Sequence, residues 1–174
     1  MRRIACPSVV VLVLALLAAV AVAAASPQQG TRGPDVLAGT PGPDRIFGRA
    51  GNDELQGLAG ADTLRGGPGD DRLVGGPGGD RLAGGPGNDT LFGDAGNDVL
   101  AGGPGADTLV GGAGSDRIDA SAGAGDVVAG GAGRDVIRAR DGARDTITCG
   151  PGRDRVVADR VDEVTRDCEV VSRG

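Results

Sequence analysis

From Gly30 to Asp119 the chain repeats a nine-residue unit, G-x-x-G-x-D-x-U-x with U aliphatic, ten times without an insertion or deletion. The units read GTRGPDVLA, GTPGPDRIF, GRAGNDELQ, GLAGADTLR, GGPGDDRLV, GGPGGDRLA, GGPGNDTLF, GDAGNDVLA, GGPGADTLV and GGAGSDRID. Asp is sixth and Leu or Ile eighth in every one. One unit carries a single inward apolar side chain and cannot bury it alone, whereas stacked units bury a continuous column of them. So strict a short period leaves little open except a solenoid.

Glycine at positions one and four, often beside another Gly or a Pro, frees the backbone for turn conformations closed to other residues. The first six residues are therefore expected to turn. The last three alternate out, in, out, the pattern of a very short strand. Two successive units make one coil of eighteen residues, so each unit stacks on the next but one at about the 4.8 Å strand spacing. That register places Asp35, Asp53, Asp71, Asp89 and Asp107 in one column, and Asp44, Asp62, Asp80, Asp98 and Asp116 in a second.

Carboxylates stacked at that spacing repel unless a cation neutralises them or they take up protons. The donors on offer are Asp oxygens and turn carbonyls, since the chain has no His and none of its three Cys lies in the ten units. A hard, all-oxygen donor set favours calcium, with its loose six-to-eight coordination, over zinc or copper; magnesium demands a stricter octahedron. A single Asp of this kind would only solubilise a Gly-rich surface. Ten in register at one turn position point to metal.

The unit resembles the glycine-rich nonapeptide G-G-x-G-x-D-x-U-x of the repeats-in-toxin (RTX), or haemolysin-type calcium-binding, family. The resemblance implies an all-β fold, a right-handed parallel β-roll, with each calcium between turns i and i+2, held by Asp carboxylates and carbonyls of the glycine region. Carried onto this chain, the ligands are the ten aspartates just named, and pairing down the two columns implies roughly eight ions. Larger relatives append such repeats to toxins, proteases or lipases; those activities are not expected to carry over to the repeats and cap read here.

Beyond Asp119 the pattern persists in worn form. Residues 120–129 and 139–148 are ten-residue variants, while 130–138 and 149–157 keep nine. Asp126, Asp135, Asp145 and Asp154 retain the acidic position, but the Gly two residues before it is Ala124 and Ala143 in the long variants, and Arg134, Arg144 and Arg153 directly precede three of the aspartates. Both changes are expected to weaken cation binding, so these four are weaker metal candidates. The charge agrees with this division: residues 30–119 hold thirteen Asp and one Glu against seven Arg, and residues 120–174 eight Asp and two Glu against nine Arg.

Composition links metal to folding. Gly and Pro make up 45 of 174 residues, a content that without a period reads as disordered. Each short strand buries one aliphatic side chain, worth roughly 1.5 to 3 kcal/mol at best, so the apo chain is expected to be largely unfolded and the metal-loaded chain a rigid roll.

The N-terminus carries Met1-Arg2-Arg3, an apolar run from Val9 to Ala25 and small residues at Ala23-Ala24-Ala25, which together read as a secretory signal peptide over residues 1–25. An uncleaved anchor is the competing reading, although about 17 residues is the lower limit for a spanning helix. After signal removal no membrane contact is expected, and the mature protein is expected to be secreted. Cys6 leaves with the signal; residues 26–29 form a short linker. The remaining cysteines, Cys149 and Cys168, read as one disulfide clipping a cap over residues 158–174 onto the last coil. Without C-x-x-C spacing or any His, a redox or metal-binding thiol pair is the poorer account.

With no His and no Lys there is no imidazole base, no H-E-x-x-H zinc site, no P-loop and no Schiff-base lysine. The chain is therefore read as non-catalytic. An acidic chain with only two aromatic residues, Phe47 and Phe92, is a poor partner for nucleic acid. Outward positions leave room for an alternative function, adhesion or matrix and cell-wall recognition, with the roll as scaffold and a cell-surface or matrix polymer as partner. On one sheet Val74, Phe92 and Val110 stack into an apolar strip; on the other Arg45, Thr63, Arg81, Val99 and Arg117 form an arginine row interrupted at every second step.

Overall fold

The computed structural model describes residues 27–173, so the signal-peptide segment and Cys6 lie outside the described residues. The described residues form seventeen strands and no helix. The strands alternate between two parallel sheets, one of nine strands and one of eight. The chain thus winds as an all-β parallel solenoid of about eight turns.

The register follows the period. Leu37 pairs with Leu55, Leu55 with Leu73 and Leu73 with Leu91, each eighteen residues on. Past Asp119 the step becomes nineteen, with Leu109 beside Val128 and Ile118 beside Ile137. Each ten-residue unit absorbs its extra residue in a turn, so the inward side chains stay stacked.

Between the sheets lies a single file of aliphatic side chains. Thirteen of the fourteen position-eight residues, from Ile46 to Val156, are at most 2% exposed. Leu37, at the open N-terminal end, is only partly buried. Ala120, Ala139, Cys149 and Ala158 are also fully buried. They stand where strict units begin with Gly, so the worn units thicken the core where they lose glycine.

Two features depart from the simple turn-and-strand reading. Gln28–Gln29, read as linker, pairs with Ile46–Phe47 as the first strand. In the eight-stranded sheet four strands, Arg72–Pro77, Thr90–Ala95, Thr108–Gly114 and Val127–Gly133, run on into the next unit. Their early residues pair coil to coil, as in Gly76 with Asp94 and Gly112 with Gly131. The expected apolar strip is in register, Val74 beside Phe92 and Phe92 beside Val110. It is half-buried, and the Arg72 guanidinium lies over the Phe92 ring at 4.7 Å.

The tail extends the roll. Glu163–Val164 adds to the eight-stranded sheet and Val170–Arg173 to the nine-stranded one. Cys149 and Cys168 form the expected disulfide, with Cα atoms 5.2 Å apart. Arg173 donates to the Asp159 carbonyl at 3.1 Å and to the Asp162 carbonyl at 3.3 Å. Replacing both cysteines by Ser is expected to cost about 3 kcal/mol. Hydrogen exchange should show the loss concentrated in Val170–Arg173, with the strand around Leu73 still protected; uniform deprotection would mean the clip holds more than the last coil.

From the third unit on, the second residue of each strict unit has positive φ and sits close to the backbone of the coil below. At Gly67 φ is +115° and the Arg49 carbonyl of the coil below occupies the place of a Cβ. Arg49, Leu58 and Asp94 hold the equivalent position with φ of 87°, 78° and 71°, which strains a residue with a side chain. Gly67→Ala is expected to destabilise the roll by about 1–3 kcal/mol. Gly79→Ala, whose Cβ would meet only the Asn97 carbonyl at 3.5 Å, should be nearly silent, and Leu58→Gly should raise the melting temperature. Thermal unfolding of the three variants checks the ranking.

Candidate metal-binding columns

The sixth-position aspartates stand in the two expected columns, one along each edge of the roll. Asp44 is 7% exposed and those from Asp53 to Asp154 are 3% exposed or less, while Asp35 at the open end is half-buried. From Asp53 to Asp154, Oδ1 of each carboxylate accepts the N–H of the aspartate one coil below. Asp35 thus donates to Asp53, Asp53 to Asp71 and Asp71 to Asp89, each at 2.8 Å. The ladder continues unbroken through the worn units, where Asp107 donates to Asp126 at 2.8 Å and Asp135 to Asp154 at 2.9 Å. Half of each of these carboxylates is therefore a structural acceptor, terminating the turn beneath it.

The other half has no donor. Oδ2 of Asp53, Asp62, Asp71, Asp80, Asp89, Asp98, Asp107, Asp116, Asp126, Asp135, Asp145 and Asp154 is buried and unpartnered. In the units that begin with glycine it lies against that residue, near the carbonyl of the coil above; Ala120, Ala139 and Cys149 hold the same place in the units of Asp126, Asp145 and Asp154. A Cβ on Gly130 would sit 2.7 Å from Asp135 Oδ2 and 2.8 Å from the Cys149 carbonyl. In the units that begin with glycine a Cβ would crowd the carboxylate, and oxygens of two coils converge where it is missing. Buried anionic oxygens beside backbone carbonyls fit a hard cation. Among the described residues no three acidic, His or Cys side chains converge, so an ion held here draws on carbonyls alongside one or two carboxylates. Calcium, when bound, supplies the positive charge that these oxygens lack.

Burial pushes the carboxyls up from the usual range, opposed by the backbone N–H each accepts and reinforced by neighbouring aspartates. Asp71, Asp98 and Asp135 rise to about 6, and Asp89 and Asp126 to about 7. Asp62, Asp80, Asp107, Asp116 and Asp145 are raised in the same direction, with burial again the largest cause.

Both ends of the columns differ from the middle. Asp35 Oδ2 accepts the Thr31 N–H at 2.6 Å and its hydroxyl at 3.0 Å; Asp44 Oδ2 accepts the Thr40 N–H at 2.5 Å and its hydroxyl at 2.9 Å. Thr at the second position of a unit thus satisfies the oxygen left free in the interior. At the far end Asp162, buried in what was read as cap, continues the first column. Its Oδ1 accepts the Asp145 N–H at 3.1 Å and its Oδ2 the Asp159 N–H at 2.6 Å. Asp-x-Val at 162–164, seventeen residues after Asp145 and so one short of the strict coil, was the available signal for this residue; the shortened step and the missing glycines obscured it. Glu169, exposed, stands beside Asp154 at the end of the second column. Arg134, Arg144 and Arg153 point outward and are exposed, and Arg144 pairs with Glu163 at 3.3 Å.

The family model for the RTX calcium-binding nonapeptide repeat (4 copies) matches overlapping stretches, 29–64, 47–82, 65–100, 74–109, 101–124 and 123–156. No curated protein matches significantly. These matches run through the stacked units from the first buried aspartates to the last unpartnered carboxylate, and the chain belongs to the RTX calcium-binding nonapeptide repeat family.

Proposed function

We propose that this chain is an exported, non-catalytic calcium-binding β-roll that folds as it loads calcium. RTX nonapeptide repeats bind calcium. The observation that carries the rest is the set of buried, unpartnered Oδ2 atoms in the two columns. An apo roll at neutral pH must hold them either as desolvated anions or as protonated acids, and both oppose folding at that pH. Ligand binding free energy then acts as folding free energy. The disulfide and the N-terminal signal pattern support export. The absence of His and Lys, and the placing of every repeat aspartate in one structural role, support a non-catalytic protein.

The mature protein is expected to show a disordered far-UV circular dichroism spectrum in chelator at neutral pH and a cooperative gain of β signal on calcium addition. An already folded spectrum in chelator sinks the reading. The count of bound ions separates two versions. Columns of five strict aspartates give the roughly eight ions expected above, whereas six unpartnered oxygens in each column leave ten intervals between stacked neighbours. Asp89→Ala should lower the count, while Asp35→Ala, whose carboxylate is already held by Thr31, should leave it nearly unchanged.

Proton linkage has a definite sign. The raised carboxyls are protonated more readily in the fold than in the unfolded chain, so their contribution to apo stability is complete below the ordinary carboxylate pKa of about 4. It is lost as pH rises through the values of about 6 and about 7 reached by Asp71 and Asp89. In chelator the roll should therefore be most ordered in acid and lose order from about pH 4 to pH 7. Calcium affinity should fall as pH drops through the same window, because the ligands must be deprotonated. Circular dichroism in chelator and competition against a calcium dye, each across a pH series, check the two halves.

A further inference from the structure

The outer face of the nine-stranded sheet is charged unlike the rest of the molecule. Arg45, Arg81, Arg117 and Arg155 stand in one row, separated by Thr63, Val99 and Val136 on the strands between. Arg65 and Arg138 flank the row from the outward ends of two of those intervening strands, and all six guanidinium-bearing side chains are exposed. Asp119 is the one acidic residue in this sheet's strands; the strands of the other sheet hold Arg72 against Glu54, Asp94 and Glu163. Among the described residues the ion pairs are Arg140–Asp159 and Arg144–Glu163, so none of the six is paired.

The alternation also shapes the surface. Over Thr63, between Arg45 and Arg81, lies a cleft of about 390 Å³ bounded by Pro43, Asp44 and Ala61. At the other end of the row Arg155, with Arg134 and Arg153, lines a second cleft of about 530 Å³ that Asp154 and Glu169 also border. Arginines on every second strand are about 10 Å apart along the roll axis.

We propose that this face binds a linear acidic polysaccharide, laid along the roll axis and carrying its anionic group on alternate sugars. In an extended glycan each pyranose ring advances by roughly the distance between neighbouring strands. Charged sugars then meet the arginines, whose planar forks suit carboxylate or sulfate, and uncharged sugars lie over Thr63, Val99 and Val136. Each exposed pair contributes little alone; several in register on one chain act multivalently. A nucleic acid fits worse, because its phosphates recur every 3.4 Å or so along each strand and only Phe47 offers an aromatic ring on this sheet. The polymer runs beside the columns, with Asp44 and Asp154 bordering the two clefts, and its binding requires only a folded roll.

The test uses the calcium-loaded mature protein with hyaluronan, which has one carboxylate per disaccharide, and with neutral dextran and single-stranded DNA as comparisons. Circular dichroism and a calcium count on each sample separate a failure to fold from a failure to bind. Affinity electrophoresis should show retardation by hyaluronan, none by dextran and less by DNA. The variant R45Q/R81Q/R117Q should lose roughly tenfold in affinity, while R72Q on the opposite sheet binds as the parent does. Absence of retardation, DNA binding as tight as hyaluronan, or undiminished binding by the folded triple variant overturns the proposal. Should the triple variant not fold, single R81Q decides in the same way, with a loss of about two- to threefold expected.

Discussion

The structure depends on one hydrogen bond repeated coil after coil, from the backbone N–H of an aspartate to Oδ1 of the aspartate stacked above it. It ends each turn at a fixed place and locks the register of consecutive coils, which the single file of aliphatic side chains would hold only loosely. The same bond carries the carboxylate into the interior, where its second oxygen meets no donor. A charge buried in that way is tolerated only with a proton or a cation. Fold and candidate metal site are therefore built from the same carboxylates, one oxygen of each serving the backbone and the other left for a proton or a cation.

The ends of the columns show what the interior lacks. Thr31 and Thr40 bring an N–H and a hydroxyl to the free oxygens of the first two aspartates, and Asp162 receives two backbone N–H groups at the far end. Terminal coils have one neighbour, and there donors from the chain satisfy the oxygens that stay unpartnered in the interior. This is the capping that a solenoid needs, achieved with single side chains. The Cys149–Cys168 bridge holds the last coil against fraying.

Much of this was legible in the repeat. A period of nine with one aliphatic and one Asp per unit dictates the coil, both columns and the core positions, and thirteen of fourteen inward residues are buried accordingly. Other features were not, for physical reasons. A one-letter motif records that Asp is present but not that its two oxygens have different partners. Thr31 and Thr40 look like any tolerated second residue until their hydroxyls are seen on a carboxylate. Ala120, Ala139 and Cys149 stand where a strict unit has its first glycine, and only the fold shows that they add apolar volume to the core. Asp162 was hidden because the tail keeps the acid and the aliphatic residue while losing the glycines that announce a turn.

A net charge of −6 describes no single part of the roll. The negative charge is concentrated in the edge columns, most of it buried, while the exposed arginine row stands on one sheet face. Neutralising the columns, by protons or by metal, removes negative charge from the edges and leaves the arginines unchanged. The long-range field seen by an anionic polymer therefore depends on how full the columns are. By linkage, a polyanion on the arginine face favours filled columns as much as filled columns favour the polyanion.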